Sequence, residues 1–147
     1  MKILIAPDSF KGSLSAKEVC DIISRSLSDI DGVETVSLPL SDGGEGFGNC
    51  CCDCCKGDII YDRFSDIYGN TISAPVYFCK DIAVIECACA CFLQEKRNVM
   101  DASSFGTGQQ ISFAYEKGYR KFIIGLGRSG MCDGGTGALA TDRKSVV

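Results

Sequence analysis

The sequence predicts an α/β fold: a mostly parallel sheet with flanking helices, plus part of a second, mixed α/β lobe. Three observations lead there. Short apolar runs alternate with longer segments of helical period, the pattern of strand–helix–strand units. Two runs, Ile59 to Phe64 and Thr71 to Phe78, flank the turn Tyr68-Gly-Asn70 and read as an antiparallel hairpin. Other runs end in glycine-rich clusters, and in open α/β sheets ligands sit outside the carboxyl ends of strands. With 147 residues, 46% of them hydrophobic, the chain can bury a real core.

Each element has its own signal. Residues 2–6 form a strand, apolar apart from Lys2, and Pro7 to Gly12 a polar loop. Ser15-Ala-Lys-Glu18 has the form of a capping box, followed by Val19, Ile22, Ile23, Leu27 and Ile30 at helical spacing. Val33 to Leu38 is the next strand. A helix is expected from about Glu45 to Lys56, with Gly57 as its stop, and after the hairpin Ile82 to Cys87 reads as a buried strand. Gln94 to Asp101 is polar and loop-like. Thr107 to Lys117 reads as a helix closed by Gly118, and Lys121 to Gly127 as a further strand. The loops 7–12, 41–46 and 125–137 all follow strands, which makes them candidates for one shared site.

Composition narrows the function classes. A net charge of −4 and a pI near 4.8 argue against a nucleic-acid partner. No apolar run approaches the ~18 residues of a membrane span, and the start reads as a strand rather than a signal peptide, so a cytoplasmic location is expected. Eleven cysteines are present and no His. The odd count and runs such as Cys50-Cys51-Cys52 make a disulfide framework a poor reading. On a helix Cys51, Cys54 and Cys55 share a face, and three thiolates can hold Zn²⁺; Cys87, Cys89 and Cys91 invite the same idea. Against this stands Cys as a small buried hydrophobe. Without His, catalysis must use carboxylates, Lys, Cys or backbone donors.

The sharpest clusters are Leu40-Ser-Asp-Gly-Gly-Glu-Gly46 and Asp133-Gly-Gly-Thr-Gly137. Phosphoryl transfer needs cations and N–H donors around phosphate oxygens, carboxylates for Mg²⁺, and a group to orient the attacking hydroxyl. Asp8, Asp42, Glu45 and Asp133 are hard oxygen donors, and Lys11 supplies a cation near Asp8. No GxxxxGK[ST] is present, which excludes a P-loop kinase. Blander readings exist: Asp42 to Gly46 as a turn and helix N-cap, Asp8 and Lys11 as a solvated pair. Gly125-Leu-Gly-Arg-Ser-Gly130 also matches GxGxxG after a strand, which would make a dinucleotide-binding redox protein.

Five segments, in order and spacing, carry a resemblance: Ile5-Ala-Pro-Asp-Ser-Phe-Lys-Gly-Ser-Leu14, Leu40 to Gly46, Ala83-Val-Ile-Glu86, Ser104-Phe-Gly-Thr-Gly108, and Ile124-Gly-Leu-Gly127 with Asp133 to Gly137. Together they resemble the bacterial type-1 glycerate kinase family. The resemblance implies ATP- and Mg²⁺-dependent phosphorylation of D-glycerate in a two-lobed enzyme, with no nucleic-acid or membrane partner. It implies catalytic roles for Asp42, Lys11 and Asp8, with Asp42 also a Mg²⁺ ligand. Ser9, Gly43, Gly44 and Glu45 would bind substrate. Gly106, Thr107, Gly125, Gly127, Ser129, Asp133, Gly134 and Gly135 would bind nucleotide or phosphate. It further implies that residues 1–141 are the N-terminal portion of a longer kinase, with second-lobe elements within about 58–100. Residues 142–147 break the pattern; one of their reverse translations coincides with a common sequencing-adapter read, and they are expected to be a non-native tail. Arg128 stands where the family has Gly, Met131-Cys132 where it has Thr-Asn, and Gln109 where it has Glu.

Overall fold

The computed structural model describes residues 1–92, 98 and 100–142. Of the expected tail only Asp142 is included; residues 143–147, and 94–97 and 99 of the expected 94–101 loop, lie outside the described residues. The α/β class is as expected, and the chain divides into two compact units, Met1–Asp42 and Gly43–Val147.

The first unit is a strand–helix–strand unit. Strand β1 (Lys2–Ile5) pairs in parallel with β2 (Glu34–Ser37), and helix α1 (Ala16–Leu27) connects them. The capping box forms in full: the Ser15 hydroxyl accepts from the Glu18 N–H, and the Glu18 carboxylate accepts from the Ser15 N–H at 2.7 Å. Caps of this kind contribute about 1 kcal/mol. Ile5, Ala16, Val19 and Cys20 are buried. The helical pattern reaches only part of its expected role, since Ile22 and Ile23 stay over a third exposed and Ile30 lies beyond the helix.

The second unit holds a four-stranded sheet in the order β3-β4-β5-β6. Strands β3 (Asp58–Ser65) and β4 (Thr71–Cys79) form the expected hairpin, β5 (Ile82–Glu86) runs antiparallel to β4, and β6 (Lys121–Gly125) runs parallel to β5. The helices are α2 (Phe47–Cys55), the short α3 (Cys87–Ala90), α4 (Phe105–Glu116) and α5 (Thr136–Asp142). Alternation along β4 and β5 sends Ala74, Val76, Phe78, Ala83 and Ile85 into one cluster with Ala114 of α4. Tyr77, Cys79 and Val84 enter another with Cys52 of α2. Both faces of β4 are thus covered, which is why it is buried from Ala74 to Cys79.

One expectation about an element end is corrected. Helix α2 turns off at Lys56, which takes the left-handed conformation at φ 54°. Gly57 has a different reason to be small: a Cβ there would lie 2.4 Å from the Phe78 carbonyl oxygen.

Candidate active site

The first unit places its functional residues where parallel strands end. Past β1 and β2 the chain continues in register, with the Leu38 N–H donating to Ile5 O at 2.8 Å and the Leu40 N–H to Pro7 O at 2.9 Å. These bonds hold the two outgoing loops side by side, and Lys11 Nζ lies 3.9 Å from Asp42 Oδ2. Both side chains remain more than half exposed, so the pair costs little desolvation and stays available to a ligand. Asp8 turns back on its own loop, accepting from the Ser9 N–H at 2.6 Å.

The second unit brings two glycine clusters into backbone contact. The Gly127 N–H donates to Gly43 O at 2.9 Å. A Cβ on Gly125 would lie 2.5 Å from Gly43 O, and one on Gly127 2.5 Å from Gly44 N. Glycine is required here by the close approach of one loop to another. Gly125 and Gly44 are buried. The Gly127 N–H is therefore engaged within the protein.

Helix α2 opens at Gly46, which sits at φ 86° and offers no side chain to cap the helix. Gly46 itself stands at the cap, so the blander reading of Asp42 to Gly46 as a side-chain N-cap does not describe the start of α2. The place of a side-chain cap is taken by Glu86 at the end of β5, 3% exposed, whose two carboxylate oxygens accept from the Gly46 N–H at 3.1 Å and the Gly48 N–H at 3.0 Å. In the sequence Glu86 closes the segment Ala83-Val-Ile-Glu86, a single acid at the end of an otherwise apolar strand.

Asp133 is likewise a fastener. Its Oδ2 accepts from the Ser104 N–H (2.7 Å), the Ser104 hydroxyl (2.9 Å) and the Gly137 N–H (3.1 Å), and its Oδ1 from the Gly135 N–H (3.1 Å). Burial works against the charge, yet these donors hold its pKa below the usual carboxylate range. Ser104 in turn accepts from the Ala138 N–H at 2.9 Å, which ties the starts of α4 and α5 together.

The remaining expected nucleotide residues divide. Gly106 lies against β3, where a Cβ would meet Ser65 O at 1.9 Å. Thr107 is 5% exposed, its hydroxyl 3.2 Å from the sulfurs of both Cys87 and Cys91. The hydrogen bond with Cys91, together with burial, pushes the Cys87 thiol up. Their side-chain positions therefore serve packing. Ser129 and Gly134 stay accessible in the loop after β6. Arg128 adopts φ 55° and donates to Glu45 at 2.9 Å. Arg128, which stands where the family has Gly, thus occupies a left-handed position.

Two alternatives lose ground on this geometry. No helix starts within the GxGxxG stretch; α5 begins only at Thr136, so the turn that would face a dinucleotide pyrophosphate is missing. Among the described residues no group of three or more His, Cys, Asp or Glu is arranged to hold a metal ion. Cys52, Cys79, Cys87 and Cys91 are instead members of the apolar clusters.

An α/β chain whose strand-end loops carry a Lys–Asp pair and close-packed glycines has the makings of a kinase without a P-loop. The chain belongs to the glycerate kinase family, whose sequence model matches residues 3–141. It is 38% identical to a glycerate kinase of Haemophilus influenzae over 95% of its own length and 39% of the relative's. A glycerate kinase of Bacillus subtilis is 39% identical, with 95% and 38% covered. The glycerate 2-kinase of Escherichia coli is 38% identical, with 93% and 38% covered. The crystal structure of a protein described as glycerate kinase 2 from Salmonella typhimurium LT2 superposes with a TM-score of 0.80 at 34% identity, covering 96% of this chain and 40% of that one. The chain thus spans about two fifths of the length of the relatives it matches. Among the described residues no helix is long and apolar enough to cross a membrane.

Proposed function

We propose that these residues are the N-terminal part of a longer enzyme that transfers the terminal phosphoryl group of ATP to a hydroxyl of D-glycerate. The observation that carries the reading is the Lys11–Asp42 pair, 3.9 Å apart on loops at the ends of two parallel strands. A hydroxyl must be oriented, and stripped of its proton, as it attacks phosphorus; Asp42 is an exposed carboxylate suited to that. Charge spreading over the phosphoryl oxygens needs a cation, which Lys11 supplies.

Mg²⁺ selects hard carboxylate oxygens, and Asp42, exposed on its loop, would hold it. When bound it would offset phosphate charge. Gly43, Gly44 and Glu45 are assigned to the substrate, and Ser129 and Gly134 to the nucleotide phosphates.

The test is made in the longer gene product with a steady-state assay of glycerate-dependent ATP turnover. Asp42→Asn is nearly isosteric and is expected to fold normally while losing about a hundredfold or more in turnover. Lys11→Met is expected to lose a similar factor through the missing charge. Turnover near wild type in Asp42→Asn would remove the catalytic assignment.

A further inference from the structure

The acid that fastens the candidate substrate loop is buried, far away in sequence, and outside the catalytic, substrate and nucleotide roles assigned above. We propose that Glu86 is a positioning residue for glycerate: it holds the Gly43–Gly46 loop in its binding shape without touching the substrate. The inference rests on the reading of that loop as the substrate loop.

Four observations support it. Glu86 is 3% exposed, and each of its oxygens accepts one backbone N–H from the start of α2, so it has no face to offer a ligand. The loop has no cap of its own, since Gly46 carries no side chain and sits at φ 86°. The surroundings close over the carboxylate: the Cys89 thiol lies within reach of the Glu86 charge, and Tyr77 Oη lies 3.9 Å from the Cys89 sulfur. Burial and the Glu86 charge push the Cys89 thiol up to about 12, so it remains a protonated neighbour. Finally, Gly48 leaves no slack, because a Cβ there would lie 2.1 Å from the Tyr77 ring. Strand β5, fixed by its neighbours β4 and β6, thereby dictates where the loop stands.

The experiment uses Glu86→Gln in the longer gene product, with two readouts. An amide NH₂ would face one of the two backbone N–H donors, so one bond is lost and the loop loosens. Hydrogen exchange of the segment 43–48 is expected to accelerate about tenfold or more while α4 is unchanged. The KM for glycerate is expected to rise about tenfold, with the KM for ATP within about twofold. A purely structural role would lower the active fraction without splitting the two KM values. Unchanged exchange would show that Glu86 does not hold the loop. Faster exchange with an unchanged KM for glycerate would overturn the positioning role. If Glu86→Gln does not fold, Glu86→Asp keeps both acceptors one methylene short, and the same two changes are expected at smaller size. A wild-type protein with no glycerate-dependent turnover would sink the kinase reading and the positioning role with it, while exchange would still decide whether Glu86 holds the loop.

Discussion

Arg128 shows at the residue scale how one substitution can act on a site without belonging to it. A side chain at φ 55° costs about 1 kcal/mol or more relative to glycine. The ion pair with Glu45, at 2.9 Å and with Glu45 largely exposed, returns at most about 1 kcal/mol. The two nearly cancel, so Arg128→Gly is expected to change stability by less than about 1 kcal/mol, measured by urea denaturation. Its effect on binding should be larger. Glu45 is engaged by Arg128 in this structure, and releasing it is expected to lower the KM for glycerate severalfold in the longer gene product. A KM that rises instead would mean that the guanidinium itself assists the anionic substrate.

At the scale of elements, Asp133 makes a prediction about pH. One carboxylate accepts five N–H or O–H donors from the residues that open α4 and α5. Its pKa is depressed on folding below the ordinary 3.8, so the unfolded chain binds the proton more readily. The stability this group contributes is therefore present above about pH 4 and is lost as pH falls through the folded value. Asp133→Asn, which keeps one acceptor and adds a misplaced donor, is expected to cost about 2 kcal/mol near pH 7. The difference from wild type should shrink steadily below about pH 4, measured by denaturant titration at several pH values.

What was legible in the sequence depended on how near each partner lies along the chain. Strands, the hairpin and helices α1, α2 and α4 could be read because they rest on local period, and the Ser15–Glu18 capping box because both partners lie within one turn; α3, a single turn closing β5, has no such period and was not expected. The glycine clusters were visible as signals of close approach, but not what they approach: Gly125 and Gly127 face Gly43 and Gly44, some eighty positions away. Glu86 escaped for a like reason, its partners Gly46 and Gly48 being on another element. Lys56 and Gly57 exchanged roles because left-handed backbone and lack of space both favour glycine, and only coordinates separate them.

For the whole molecule the decisive feature is uncovered apolar surface. In the first unit Leu4 and Val36 on the two strands, Ile22 and Ile23 on the single helix, and Leu38 and Leu40 just past β2 are all over a third exposed. Two strands are marginal without a further layer, and apolar residues on both helix and strands form more exposed surface than a soluble monomer usually tolerates. The relatives are about two and a half times longer, which supplies a source for that layer. The 147-residue chain alone is therefore expected to associate or precipitate, to bind the dye ANS through its first unit, and to show no turnover with ATP and glycerate. Amide exchange should be fast in Met1–Asp42 and slow in β4 and β5, whose faces are covered on both sides. Sedimentation, exchange and a coupled kinase assay check these in turn. A monomeric, dye-free chain with measurable turnover would show that the exposed faces need no cover and that these 147 residues carry the chemistry by themselves.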